Sequence, residues 1–181
     1  MLIYLDESFR EGIRGHQFGV LWGIAIPEVL LADVAQDLYY MKRNSFGDDF
    51  ARRRELKGKK LLKNRNLGPH ASAVGRASVE FVRDTLRYIV RKRLITLGAV
   101  CFDTRLRTFK CDDPDRLDIT YRALFERLDN YVSREFPGKR AKLIFDDVDY
   151  ATNANRARAI TNFFNRSPVG RGYDTIIRTP F

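Results

Sequence analysis

The chain has 181 residues, a formal net charge of +10, and a composition that is 44% hydrophobic, 12% aromatic and 31% charged. That length carries one compact domain over residues 1–181 with a full core and no disulfide staples, and the composition excludes long disorder. No apolar run reaches the roughly 18 residues that a membrane helix needs, and the N-terminus lacks the basic, apolar and small-residue succession of a signal peptide, so a cytoplasmic chain that does not enter membranes is expected.

Leu2 to Leu5 is a short apolar run that predicts a buried strand, and it leads straight into Asp6 and Glu7. After the turn "REGIRGHQ", the segment "FGVLWGIAI" from Phe18 to Ile26 predicts a second strand, paired with the first as a hairpin and closed by Pro27. Trp22 and Phe18 are expected to pack in the core rather than to stack on bases. Beyond Pro27, the spacing of Leu30, Val34, Leu38 and Met41 predicts an amphipathic helix that ends at "NSFGDD".

From Arg52 to Arg65 the chain reads "RRRELKGKKLLKNR", in which Arg52, Arg53, Arg54, Lys57, Lys59, Lys60, Lys63 and Arg65 surround a single acid, Glu55. Such a run is either a solvated basic loop or a surface that grips phosphates. A helix is predicted from Gly75 to Arg93, with Val79, Val82, Leu86 and Ile89 inward and Arg83, Arg87, Arg91 and Lys92 elsewhere, and a strand from Leu94 to Phe102. Asp112, Asp113, Asp115 and Asp118 lack the spacing and the glutamate of a calcium loop and read as caps of the next helix, which bears Tyr121, Leu124, Leu128 and Val132 and stops at Pro137–Gly138.

Leu143 to Phe145 predicts a strand running into Asp146, with Asp147 and Asp149 close behind. A helix with Ala157, Ile160, Phe163 and Phe164 inward follows; "SPVGRG" breaks it, and a last strand is expected from Tyr173. The order implies an α/β domain whose mixed sheet is flanked by helices.

Cys101 and Cys111 lack the spacing of a zinc site and read as reduced thiols, and His16 and His70 lie in separate polar loops. Catalysis would therefore fall to carboxylates or lysines. The positive excess points to an anionic partner, for which nucleic acid, DNA or RNA, is the commonest choice. Two strands run into acids and a third acid lies inside the basic run. Asp6, Glu55 and Asp146 would suit hard divalent cations, since a pair of such ions about 3.5–4 Å apart activates a water and stabilises the leaving oxygen in phosphodiester cleavage. The alternative is that these acids are strand-end polar groups or partners of arginines.

Taken together and in order, "IYLDES" at Ile3 to Ser8, "FGVLWGIAI", "ELKGKKLL" at Glu55 to Leu62 and "LIFDDVD" at Leu143 to Asp149 resemble the DUF3800 domain family. The resemblance implies an RNase H-like fold whose relatives use clustered carboxylates with Mg²⁺ or Mn²⁺. It would make Asp6 the central ligand, Glu55 a bridging or orienting ligand and Asp146 the ligand from the later strand. Glu7 and Ser8 match the motif, Lys57 would contact phosphate, and Asp147 and Asp149 would support the ligands or cap the following helix. The family continues past its last strand into a helix that supplies a fourth acid, so a domain lacking that C-terminal helix is expected here. The function expected is a metal-dependent nuclease or phosphodiester-transferring enzyme in which Arg52, Arg53, Arg54, Lys57, Lys59, Lys60 and Lys63 bind nucleic acid. The alternative is a noncatalytic nucleic-acid-binding module of the same fold.

Overall fold

In the computed structural model, which describes residues 1–11, 17–102, 117–146 and 150–178, four strands form one mixed sheet in the order β3-β2-β1-β4. For residues 9–11, 17, 18, 100–102 and 150 the backbone alone is described. Strand β1 (Leu2–Glu11) pairs antiparallel with β2 (Gln17–Ile26), β2 pairs antiparallel with β3 (Ile95–Phe102), and β4 (Lys142–Phe145) lies parallel to β1 on its other edge. The expected hairpin and mixed sheet are both present. The first strand is longer than its apolar run, because the polar residues from Asp6 onward keep pairing with β2 as far as Glu11↔Gln17.

The chain divides into two compact units, Met1–Glu28 with Ile95–Phe181, and Val29–Leu94. In the first, β1 shows period-2 alternation: Ile3 and Leu5 are buried, whereas Tyr4 and Asp6 are exposed. The buried face is covered by α6 (Ile119–Glu135) and α7 (Tyr150–Arg166). Tyr121, Leu124, Leu128 and Val132 recur every three or four residues along α6 and are all fully buried, as that spacing predicts. Ile160, Phe163 and Phe164 do the same on α7, and the Phe125 and Phe164 rings meet at 5.0 Å between centroids. Burying each of these large side chains is worth about 1.5–3 kcal/mol. Asp118 caps α6, its Oδ1 accepting from the Thr120 N–H at 2.8 Å, which is the capping role expected of it; Asp112, Asp113 and Asp115 lie outside the described residues.

Two expectations for this unit are corrected. Trp22 is 52% exposed rather than in the core, because it alternates with the buried Leu21 and Gly23 and so falls on the opposite face of β2. The last strand reduces, among the described residues, to a single parallel bridge between Ala141 and Ile176. There the Thr175 N–H donates to Asp129 Oδ1 at 3.0 Å instead of to a neighbouring strand. The "SPVGRG" stretch ends α7 at Arg166 as expected, and within it Pro168–Arg171 form a short helix, α8, capped by the buried Ser167.

The second unit holds α1 (Leu31–Phe46), α2 (Asp48–Arg53), α3 (Gly58–Leu61), α4 (Asn64–Leu67) and α5 (Ala73–Arg91). The basic run is thus largely helical rather than a loop. Gly47 turns the chain between α1 and α2 at φ +87°, and Lys42 of α1 donates to the carbonyls of Ala51 and Arg54. The inner face of α5 is Gly75, Ser78, Phe81 and Tyr88, and Leu86, expected inward, is 59% exposed. Phe81 and Tyr88, seven residues apart, align over two turns and rotate the helix away from the aliphatic stripe. Phe81 meets the Phe46 ring at 5.4 Å, while the Tyr88 hydroxyl donates to Asp37 at 2.8 Å. No helix among the described residues is long and apolar enough to cross a membrane.

Candidate functional site

Asp6 and Glu7 are adjacent in a strand, so their side chains leave opposite faces of the sheet. Asp6 is exposed on the face that carries Tyr4 and Trp22, with its Oδ1 accepting from the Glu7 N–H at 2.8 Å, and Ser8 is exposed on the same side. Asp6 lies in the middle of β1, not at its end. What ends there is the pairing with β4, whose last matched residues are Leu5 and Phe145. The residue that follows each of these is an aspartate. Asp6 and Asp146 are both exposed, and both line one open concavity of about 490 Å³ with Tyr4, Trp22, Ile24 and Ile144.

Two carboxylates that face one concavity repel each other. A divalent cation relieves that repulsion, and magnesium is commonly held by one or two carboxylates with its remaining positions left to water and phosphate oxygens. The Asp6–Asp146 donor set fits such an ion. Among the described residues of either unit, no group of three or more His, Cys, Asp or Glu side chains gathers to hold a metal. Asp147 and Asp149 lie outside the described residues.

On the opposite face, Glu7 is built into the core. Its Oε1 accepts from Arg156 Nη1 at 2.7 Å and its Oε2 accepts from the Tyr121 hydroxyl at 3.0 Å. The Glu7 side chain is only 12% exposed and that of Arg156 only 5%. Arg156 Nη2 donates to the Asp146 carbonyl at 2.6 Å and to Asn153 Oδ1 at 3.0 Å, and the guanidinium lies over the Phe145 ring at 4.9 Å. Burial pushes the Tyr121 phenol far above the usual tyrosine range, and the negative Glu7 that it faces adds to the effect. Sequence reasoning passed over Arg156. The signal was present: Arg156 stands four residues before Ile160 and seven before Phe163, on the apolar stripe of α7, where an arginine needs a buried partner.

Glu55 belongs to the second unit. Its side chain is 70% exposed and 3.3 Å from Lys57 Nζ. With Lys57, Lys60, Arg65, Asn66 and His70 it lines a concavity of about 590 Å³ at the start of α5. Arg52 and Arg53 pair one turn back with Asp48 and Asp49 at 2.8 and 3.0 Å, exposed ion pairs worth about 0–1 kcal/mol. Arg54, Lys59, Lys60 and Lys63 are exposed along the same stretch.

No protein-family model, no curated protein and no solved structure matches this chain.

Proposed function

We propose that this chain is a divalent-metal-dependent nuclease, or a related phosphodiester-transferring enzyme, of the DUF3800 type and RNase H-like fold, acting on nucleic acid. The observation that carries the reading is the pair of exposed carboxylates, Asp6 and Asp146, brought together where β1 and β4 part, in a chain of net charge +10. A magnesium or manganese ion held by these oxygens would neutralise phosphate charge and acidify a water. Asp6 is fixed for ligation by its hydrogen bond from the Glu7 N–H, and the exposed Arg54, Lys57, Lys59, Lys60 and Lys63 would bind the sugar-phosphate backbone without reading sequence. The proposal rests on Asp6 and Asp146 and does not use Glu55.

The test is cleavage of single- and double-stranded DNA and RNA with Mg²⁺ or Mn²⁺. The parent should cut at least one of them, and Asp6→Asn, which keeps the acceptor for the Glu7 N–H, should lose at least about 100-fold with an unchanged melting curve. Equal cutting by parent and variant would refute the reading. A noncatalytic nucleic-acid-binding module is the second reading, favoured by the exposed cations Arg54, Lys59, Lys60 and Lys63 along one stretch. It predicts salt-sensitive polynucleotide binding that needs no divalent metal.

A further inference from the structure

The pairing of β1 with β4 stops at Leu5↔Phe145, one residue short of the two aspartates. Past that point the link between the strands is a side chain. Arg156 is 4% exposed, and its guanidinium fork takes Glu7 Oε1 with one nitrogen and the Asp146 carbonyl with the other. Glu7 directly follows Asp6 and donates its own N–H to Asp6 Oδ1, so the fork grips the residue after one carboxylate and the main chain of the other. Phe145 under the guanidinium, Asn153 at Nη2 and the Tyr121 hydroxyl on the far oxygen of Glu7 keep the fork from turning. A planar two-point donor does this; an ammonium, with a single centre, does not.

We propose that Arg156 is a positioning residue that sets the separation and orientation of Asp6 and Asp146 for a divalent cation. This rests on the metal-dependent reading above. Glu7 and Arg156 together carry no net charge, so their contribution to the aspartates is geometric. Removing the arginine charge alone would favour a nearby cation, which makes a loss of affinity on its removal opposite in sign to the simple Coulomb expectation. Residues that orient metal ligands typically change affinity by about 10- to 100-fold when replaced.

The experiment is isothermal titration of the full chain with Mn²⁺, alongside thermal melting, for the parent, Arg156→Lys and the double variant Glu7→Gln with Arg156→Met. The double variant removes both buried charges at once and leaves the net charge unchanged, so it should keep a cooperative melt. The parent should bind saturably and the double variant about tenfold or more weakly. Arg156→Lys, which keeps the charge and the partner of Glu7 but loses the fork, should bind several-fold more weakly and decides the matter in the same sense if the double variant does not fold. Parent affinity retained in the folded variants would assign Arg156 to stability alone and overturn the proposal while leaving the metal site standing. A parent that binds no Mn²⁺ would overturn both.

Discussion

Replacing Arg156 by Met should cost the fold about 3–5 kcal/mol, because it strands the Glu7 carboxylate in a place that water scarcely reaches. The Glu7 side chain is 12% exposed and, among the described residues, would keep only the Tyr121 hydroxyl, 3.0 Å from Oε2. The Asp146 carbonyl also loses its donor, but Asp146 is exposed and water can replace it. At roughly 2–4 °C per kcal/mol for chains of this size, the melting temperature should fall by about 6–20 °C. Glu7→Gln, which leaves the guanidinium with two neutral acceptors, should cost a similar amount. The double variant should cost much less than the sum, giving a coupling energy of at least about 3 kcal/mol, since swapping a whole buried pair for neutral side chains of similar volume is often close to neutral. The assay is thermal and urea unfolding of the four proteins, repeated in about 0.5 M salt, where a desolvated pair should hold its coupling although exposed pairs are screened. Strict additivity, or an Arg156→Met cost within the roughly 0.5 kcal/mol of a surface substitution, would refute the reasoning.

Burial, reinforced by the hydrogen bond to the Asp37 carboxylate, pushes the Tyr88 phenol up to about 12. A phenol raised in the folded chain contributes stability that is full below the ordinary value of about 10 and is lost as pH climbs from there through about 12, so Tyr88→Phe should flatten that stretch of a melting-temperature against pH curve. Changing Lys59, Lys60 and Lys63 together to Gln should lower the slope of log affinity against log salt for duplex DNA by about 0.9 for each phosphate that is no longer neutralised, read by fluorescence anisotropy. An unchanged slope would place the polynucleotide elsewhere. A Cβ at Gly170 would lie 2.7 Å from the Phe163 carbonyl carbon and 2.9 Å from the Phe164 Cα, backbone atoms that cannot yield, so Gly170→Ala should cost about 1–3 kcal/mol in urea unfolding. Gly58→Ala, with nothing within 4 Å of its Cβ, should not.

The α/β architecture was legible because most elements repeat a clear period. Leu124, Leu128 and Val132 on α6 and Phe163 and Phe164 on α7 face inward as their spacing predicts. What failed did so where a long-range partner outvoted the local pattern. The outer half of β1 is polar and is held by its pairing with β2, so an apolar run could not mark its end. On α5 the Tyr88–Asp37 bond and the packing of Phe81 on Phe46 set the rotation, against the row of aliphatic residues. Among the described residues, the segment after Tyr173 keeps a single bridge to Ala141, and the Thr175 N–H goes to the Asp129 side chain. In the candidate site, Asp6 and Asp146 were readable as acids following apolar strands. That Asp6 and Glu7 part to opposite faces is a consequence of strand alternation, and the partner of Glu7 lies 149 residues away, marked in the sequence only as an arginine on the apolar stripe of α7 and with nothing local to tie it to Glu7.

The central claim is that Asp6 and Asp146 hold one divalent cation, and the chain supplies its own reporter. Its single tryptophan, Trp22, is the direct cross-strand partner of Asp6 and lines the same concavity. Mn²⁺ is a paramagnetic quencher, so titrating it into the parent should quench the Trp22 fluorescence saturably and EDTA should restore it. In Asp6→Asn and in Asp146→Asn the saturable phase should vanish. Weak, linear quenching of the same slope in all three proteins would contradict the account.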